Sequence, residues 1–315
     1  MDKKILVVIA IIAVIIAAYG IYNYTAQPKG EVVIGHLKSD HHAALYVALA
    51  KGMFEKEGIK VKTIEFKAGP ELMRAIASKQ IDIGYVGTPP AVTSISKGVP
   101  VKIIAAVNEE GSGIVVKKGS GIHSISDLKG KTVAIPMKGS IQDVLLKMVL
   151  KQHNIDPKDV NIVEMDVPMM PKALQAGRID AFIAWEPYVT MAKMKGYGDV
   201  LMYSSEIWKD HPCCVVIARD DFINNNPEIV KKFLKVHVEA TNYIIAHKDE
   251  VASIISKKLG TPVDVEKEAM THIKYTSVPS QDNIMKFVKI LKQIGYIKKD
   301  LTKEDIFDLR YLPSS

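Results

Sequence analysis

Residues 74–98 read RAIASKQIDIGYVGTPPAVTSISKG, residues 172–196 read KALQAGRIDAFIAWEPYVTMAKMKG, and the two align without gaps at an offset of 98. Ala75/Ala173, Ile81/Ile179, Asp82/Asp180, Pro89/Pro187, Lys97/Lys195 and Gly98/Gly196 are identical pairs. Each stretch reads as helix, Ile-Asp, short strand, proline, helix and Lys-Gly. Two unrelated βαβ units obeying the same packing rules fit these matches; two similar lobes fit them more specifically. In each copy a strand runs straight into a helix whose first residue is a proline, so each lobe is expected to present a helix N-terminus at the carboxyl ends of its strands. Open α/β sheets take ligands at those ends, and unpaired amides there favour an anion.

On both sides of the repeat, β-branched runs alternate with helical spacing, which is how an α/β protein reads. Strands are predicted over 31–35, 59–66, 81–86, 101–107, 114–117, 131–135, 160–165, 180–184 and 213–218, and helices over 41–57, from Pro70, and over 141–153. Gly58 is placed to end the helix over 41–57, and Asn226-Pro227 opens a long helix toward residue 247 with further helical patterns to about residue 297. Gly111-Ser112-Gly113 and Gly119-Ser120-Gly121 read as turns where the chain passes between lobes.

With 315 residues, 48% of them hydrophobic and 24% charged, the chain buries a large core, which excludes disorder, collagen-like sequence and a disulfide-stapled miniprotein. The net charge of +7 is spread without a block, a general bias toward anions and no argument for nucleic acid. Cys213 and Cys214, the only cysteines, precede Val215, Val216 and Ile217 and read as part of a buried strand, from which neither a disulfide framework nor a zinc site is expected. After Asp2, Lys3 and Lys4, residues 5–22 are uncharged, about 27 Å as a helix, and the leading lysines fit an uncleaved anchor with the rest of the chain outside the cytoplasm. A secretory signal begins the same way, and Ala18-Tyr19-Gly20 offers a weak cleavage site; residues 23–30 read as a linker.

Several positions are candidates for a site. Thr88 precedes Pro89 and is placed to cap a helix by its hydroxyl, while Gly87 admits close approach of a ligand. Glu186, beside Trp185 at the matching turn, is placed to receive a cationic group or to pair with the helix end. Ser140 is a cap following Gly139, whose exposed amide with Ile141 suits an oxyanion; Lys138 reads as solvent-facing. Ser39, Asp40, His41 and His42 follow the first strand, where they hydrogen-bond a ligand or form a surface loop; no second cluster completes a metal site with them. The methionines at 165, 169, 170, 191 and 194 read as core filling. There is no GxSxG, Walker A, HExxH or GxGxxG pattern, so no catalytic residue, metal or cofactor is expected.

The segments YVALAKGMFEKEGIKV, AIASKQIDIGYVGTPPAV, DLKGKTVAIPMKGS, IDAFIAWEPYV and VIARDDFINNNPEIVKKF resemble the substrate-binding proteins of nitrate, sulfonate and taurine ABC transporters and the related binding proteins for thiamine pyrimidine precursors. The likeness runs from residue 32 to about 296. It implies a type II periplasmic-binding-protein fold: two α/β lobes joined by two crossover strands and closing on one solute. Mapped here, lobe 1 would hold residues 31–118 and 211–315, lobe 2 residues 119–210, and residues 1–30 the anchor and linker. The resemblance implies ligand contacts from Lys38, Ser39, Asp40, His41 and His42, from Gly87, Thr88 and Pro89, from Asn108, from Gly139, Ser140 and Ile141, and from Trp185 and Glu186. It also implies a monomer that carries a small anionic solute to a membrane permease, with no cofactor. A heteroaromatic solute stacked on Trp185 is the alternative within the fold, and an enzyme on the same scaffold is a further one.

Overall fold

The computed structural model describes residues 31–313. The anchor expected over 5–22 lies outside them; among the described residues no helix is long and apolar enough to cross a membrane. Eleven strands form two sheets. They are β1 Glu31–Leu37, β2 Lys60–Phe66, β3 Ile83–Gly87, β4 Val101–Glu110, β5 Ser112–Lys117, β6 Thr132–Ile135, β7 Asn161–Glu164, β8 Ala181–Trp185, β9 Gly198–Tyr203, β10 Pro212–Arg219 and β11 Ile273–Tyr275. The first sheet has the order β11-β4-β10-β3-β1-β2 and the second β7-β6-β8-β5-β9.

The lobes share one plan. β1 lies parallel between β2 and β3, and β6 lies parallel between β7 and β8. The next strand in each sheet, β10 or β5, is antiparallel and comes from the far side of a crossover. The repeated Ile-Asp explains part of this likeness. Asp82 donates its N–H to Val33 O (2.8 Å) while its carboxylate accepts from Val33 N (2.9 Å). Asp180 does the same with Thr132, at 2.9 Å and 2.8 Å. In each lobe one aspartate therefore fixes where the returning strand starts against the central one, with a charge-assisted hydrogen bond contributing about 2 kcal/mol. The repeated Lys-Gly ends the following helix, with Gly98 and Gly196 left-handed at φ of 85° and 68°.

The core fills both lobes around the central strands; Ile34, Ile83 and Tyr85 in the first and Phe182 and Ile183 in the second are fully buried. The chain passes from lobe to lobe at Gly111, where φ is +88°, and returns through the short helix Ser204–Ile207 into β10. The departing and returning segments are neighbours, since Glu110 N donates to His211 O (3.1 Å).

Three sequence expectations are corrected. β5, expected in the first lobe, pairs with β8 and β9 in the second sheet, so the strand division falls at Gly111, and Ser112 and Gly113 are strand residues. The helix expected over 41–57 is broken: a short 3-10 turn Asp40–His42 leads into Ala43–Ala50, and left-handed Gly52 (φ +61°) separates Met53–Lys56. Met169 and Met194 are exposed, whereas Met170 is buried in the core. β9, β11 and the final helix Lys303–Ile306 were not visible in the pattern.

Candidate functional site

Between the lobes lies a narrow cleft whose water-accessible volume is about 20 Å³. From the first lobe it is lined by the end of β1 and the 3-10 turn (Leu37, Ser39, His41, His42), by Gly69, by Gly87 and Pro90, and by Cys214. The second lobe contributes Ser140, Ile141, Gln142 and Trp185. Gly69 begins the helix Gly69–Ala77, Gly87 caps Thr88–Ser96 and Ser140 caps Ile141–Gln152, so three helix starts converge on one space. No lysine or arginine lines it among the described residues.

Hydrogen bonds draw the lobes together around this space. Trp185 Nε1 donates to Lys38 O (3.1 Å), and Ser39 Oγ donates to Glu186 O (3.3 Å). The carbonyl of Gly111 accepts from Glu186 N (3.0 Å) and meets His41 Nε2 at 2.7 Å. Gln142 Nε2 donates to Ser112 Oγ (3.0 Å), while its Oε1 is buried without a partner. His42 Nδ1 lies against both backbone groups of Leu37, 3.1 Å from its N and 3.2 Å from its O. Burial first, then the neighbouring His36 and His41, hold His42 well below the usual histidine range and keep it neutral.

Of the residues singled out in the sequence, Ser39, His41, His42, Gly87, Ser140, Ile141 and Trp185 come together on the cavity wall. Lys38 is represented by its carbonyl, through Trp185. Thr88 does not cap its helix: the helix starts one residue earlier than expected, and the Thr88 hydroxyl donates to Cys213 O (3.1 Å). Pro89 is buried in the same turn, and the next residue, Pro90, reaches the cavity instead. Asn108 spends its Nδ2 on the Glu109 and Glu110 carbonyls (3.4 and 3.1 Å) and lies off the cavity. The Gly139 amide is taken by Asp143 Oδ2 (2.8 Å), and Gly139 faces a neighbouring depression with Tyr296. Asp40 is fully buried away from the lining, with neither carboxylate oxygen partnered.

Glu186 is the sharpest departure. Its carboxylate is fully buried and accepts from Thr190 N and Thr190 Oγ1 (both 2.9 Å), closing the first turn of Tyr188–Met194. That helix end is therefore filled by the chain's own side chain. Burial pushes the Glu186 carboxyl up to about 8, against the two Thr190 donors. Burial, then Glu266 and Glu186, likewise hold Asp40 well above the usual carboxylate range, and burial raises Glu266 to about 7. Three acids behind the cavity thus carry less negative charge at neutral pH than their number suggests.

Sequence reasoning missed Leu37, Gly69, Pro90, Gln142 and Cys214. Gly69 alone had a signal, the Pro70 that marks a helix start. The cysteines also depart from expectation: the irregular register of β10 on either side of Cys214 turns both thiols the same way, with Sγ atoms 3.6 Å apart and both near His41.

The model of the NMT1-like family matches residues 25–259. The chain belongs to the NMT1-like family. Relatives of this NMT1-like chain include a Bacillus subtilis (strain 168) protein provisionally named an aliphatic sulfonates-binding protein, 30% identical over 290 residues, which span 90% of this chain and 85% of that one. The taurine-binding periplasmic protein of Escherichia coli (strain K12) is 34% identical over 208 residues, 64% of this chain and 63% of its own. The alkanesulfonate-binding protein of Xanthomonas axonopodis pv. citri, solved bound to MOPS, shares the fold with a TM-score of 0.79 at 19% identity, over 90% of this chain and 99% of that one.

Proposed function

We propose that this chain is the solute-binding component of an ABC importer, a binding protein and not an enzyme, and that it holds a small oxyanion between its lobes. The observation that carries the reading is the convergence of three helix starts on one cavity that has no lysine or arginine among its described lining residues. Amides in a first helical turn have no intrahelical acceptor and sit at the positive end of the dipole; Pro70, Pro89 and Pro90 supply none, so the helix Ile141–Gln152 is the main source of donors. The amides of Ile141 and Gln142 and the Ser140 hydroxyl supply donors to a sulfonate or nitrate head, and the His42 ring lines the same space. Relatives named for sulfonate and taurine binding support that solute class.

In this reading the binding domain works outside the cytoplasm as a monomer, tethered by residues 5–22, and a membrane permease recognises the closed form. The test is calorimetry and thermal shift on the full chain in detergent with taurine, alkanesulfonates, nitrate, sulfate and thiamine pyrimidines. Stabilisation by an oxyanion that weakens about tenfold or more in Ser140→Ala combined with His42→Phe supports the reading. Stabilisation by pyrimidines alone transfers the site to a heteroaromatic solute, and turnover of any compound overturns the binding-only role.

A further inference from the structure

One group of side chains in the cavity wall has no part in this reading. His41, Cys213 and Cys214 are buried and bring one nitrogen and two sulfur atoms within 4.8 Å of one another. His41 Nδ1 lies 3.3 Å from Cys213 Sγ and 3.7 Å from Cys214 Sγ, and the two sulfurs are 3.6 Å apart. A tetrahedral ion with metal–sulfur bonds near 2.3 Å and metal–nitrogen bonds near 2.0 Å requires sulfur–sulfur edges of about 3.8 Å and nitrogen–sulfur edges of about 3.6 Å. All three separations lie within a few tenths of an ångström of those edges.

The surroundings agree. His41 Nε2 is 2.7 Å from the Gly111 carbonyl, which fixes the N–H there and turns the Nδ1 lone pair toward the sulfurs. An outward N–H on a carbonyl is the usual way a ligating histidine is oriented. Adjacent cysteines in a regular strand point apart; here the register shifts of β10 bring them together. A disulfide is the poorer use of the pair, since neighbouring Cα atoms about 3.8 Å apart fall below the usual disulfide range. His211, two residues before Cys213, is fully buried with neither ring nitrogen partnered among the described residues. A divalent ion on two thiolates sums to zero charge, the form that a buried site tolerates best.

We propose that His41 Nδ1, Cys213 Sγ and Cys214 Sγ form a three-ligand site for a thiophilic cation of the Zn²⁺ class, opening onto the cavity between the lobes. Two of the ligands, His41 and Cys214, line that cavity, so the ion arrives through it and takes its fourth ligand from it. The site needs the cavity only as a way in and is independent of which solute the protein carries.

The test uses the full chain without a histidine tag, reduced and then freed of reductant under anaerobic conditions. Zn²⁺ is titrated against a competing chelator, and Co²⁺ serves as the spectroscopic probe. The expected result is one equivalent of metal, a thiolate-to-cobalt charge-transfer band, and protection of both cysteines from alkylation in the unmutated protein. Cys213→Ser with Cys214→Ser should abolish the band, and His41→Ala should weaken binding by about 100-fold. Absence of the band in the unmutated, folded protein overturns the proposal whatever the variants do, as does metal uptake that persists in the double serine variant.

Discussion

Glu186 illustrates how one buried side chain makes stability depend on pH. Its carboxyl titrates near 8 in the folded protein, pushed there by burial, against 4.5 for an ordinary glutamate. Between those values the folded chain holds a proton that the unfolded chain has released, so stability is complete below about pH 4.5 and falls as pH rises toward 8. The full effect is on the order of a few kcal/mol. Glu186→Gln keeps the shape and removes the titration. The melting temperature of the unmutated protein is expected to fall between pH 5 and 8 relative to this variant, followed by calorimetry across that range; parallel curves would show that Glu186 is ionised in the fold. The same residue shows where a sequence misleads. Position 186 matches Thr88 in the repeat, yet Thr88 ties its hydroxyl to β10 and Glu186 closes a helix, because a side chain's partner is set by which strand packs beside it.

At the scale of the element, the paired aspartates carry the registration of each sheet. Asp180→Ala removes the carboxylate that accepts from Thr132 N, and about 2 kcal/mol of stability should go with it, read as a lower urea midpoint with an unchanged slope. An unchanged midpoint would mean that water replaces the carboxylate without loss. Such an element is legible beforehand because Ile-Asp followed by an apolar run does the same work in both lobes. Alternation and helical spacing located most strands and helices for the same local reason. What stayed hidden depended on distant partners. β5 has the same alternating pattern whichever sheet it joins, and only its pairing with β8 and β9 assigns it to the second lobe. The irregular register of β10 leaves no residue signature, so the approach of Cys213, Cys214 and His41 was unreadable. At the cavity, helix starts marked by Ser140 and by Pro70 were visible, whereas Gln142 reaches it only through the fold.

For the whole molecule, polar contacts between residues far apart in the chain join the two lobes. Tyr296, after the helix Gln281–Gln293 that packs on the first lobe, donates its hydroxyl to Asp143, and Lys147 Nζ lies 2.8 Å from the other oxygen of that carboxylate. Asp143 and Lys147 belong to the helix Ile141–Gln152 of the second lobe. Tyr296→Phe should therefore move the population toward open forms. Small-angle scattering of the solute-free protein is expected to give a larger radius of gyration, and solute affinity should drop severalfold. Equal radii and affinities would assign closure to the contacts of Trp185 and Ser39 alone. The neighbouring passage points at Glu110 and His211 have a different consequence. Because the second lobe leaves and rejoins the first at adjacent positions, it is an inserted cassette whose two ends lie side by side. Recombination between relatives at just those two junctions would exchange the second lobe's share of the cavity wall in one event, giving evolution, or an engineer, new pairings of walls on an unchanged first lobe.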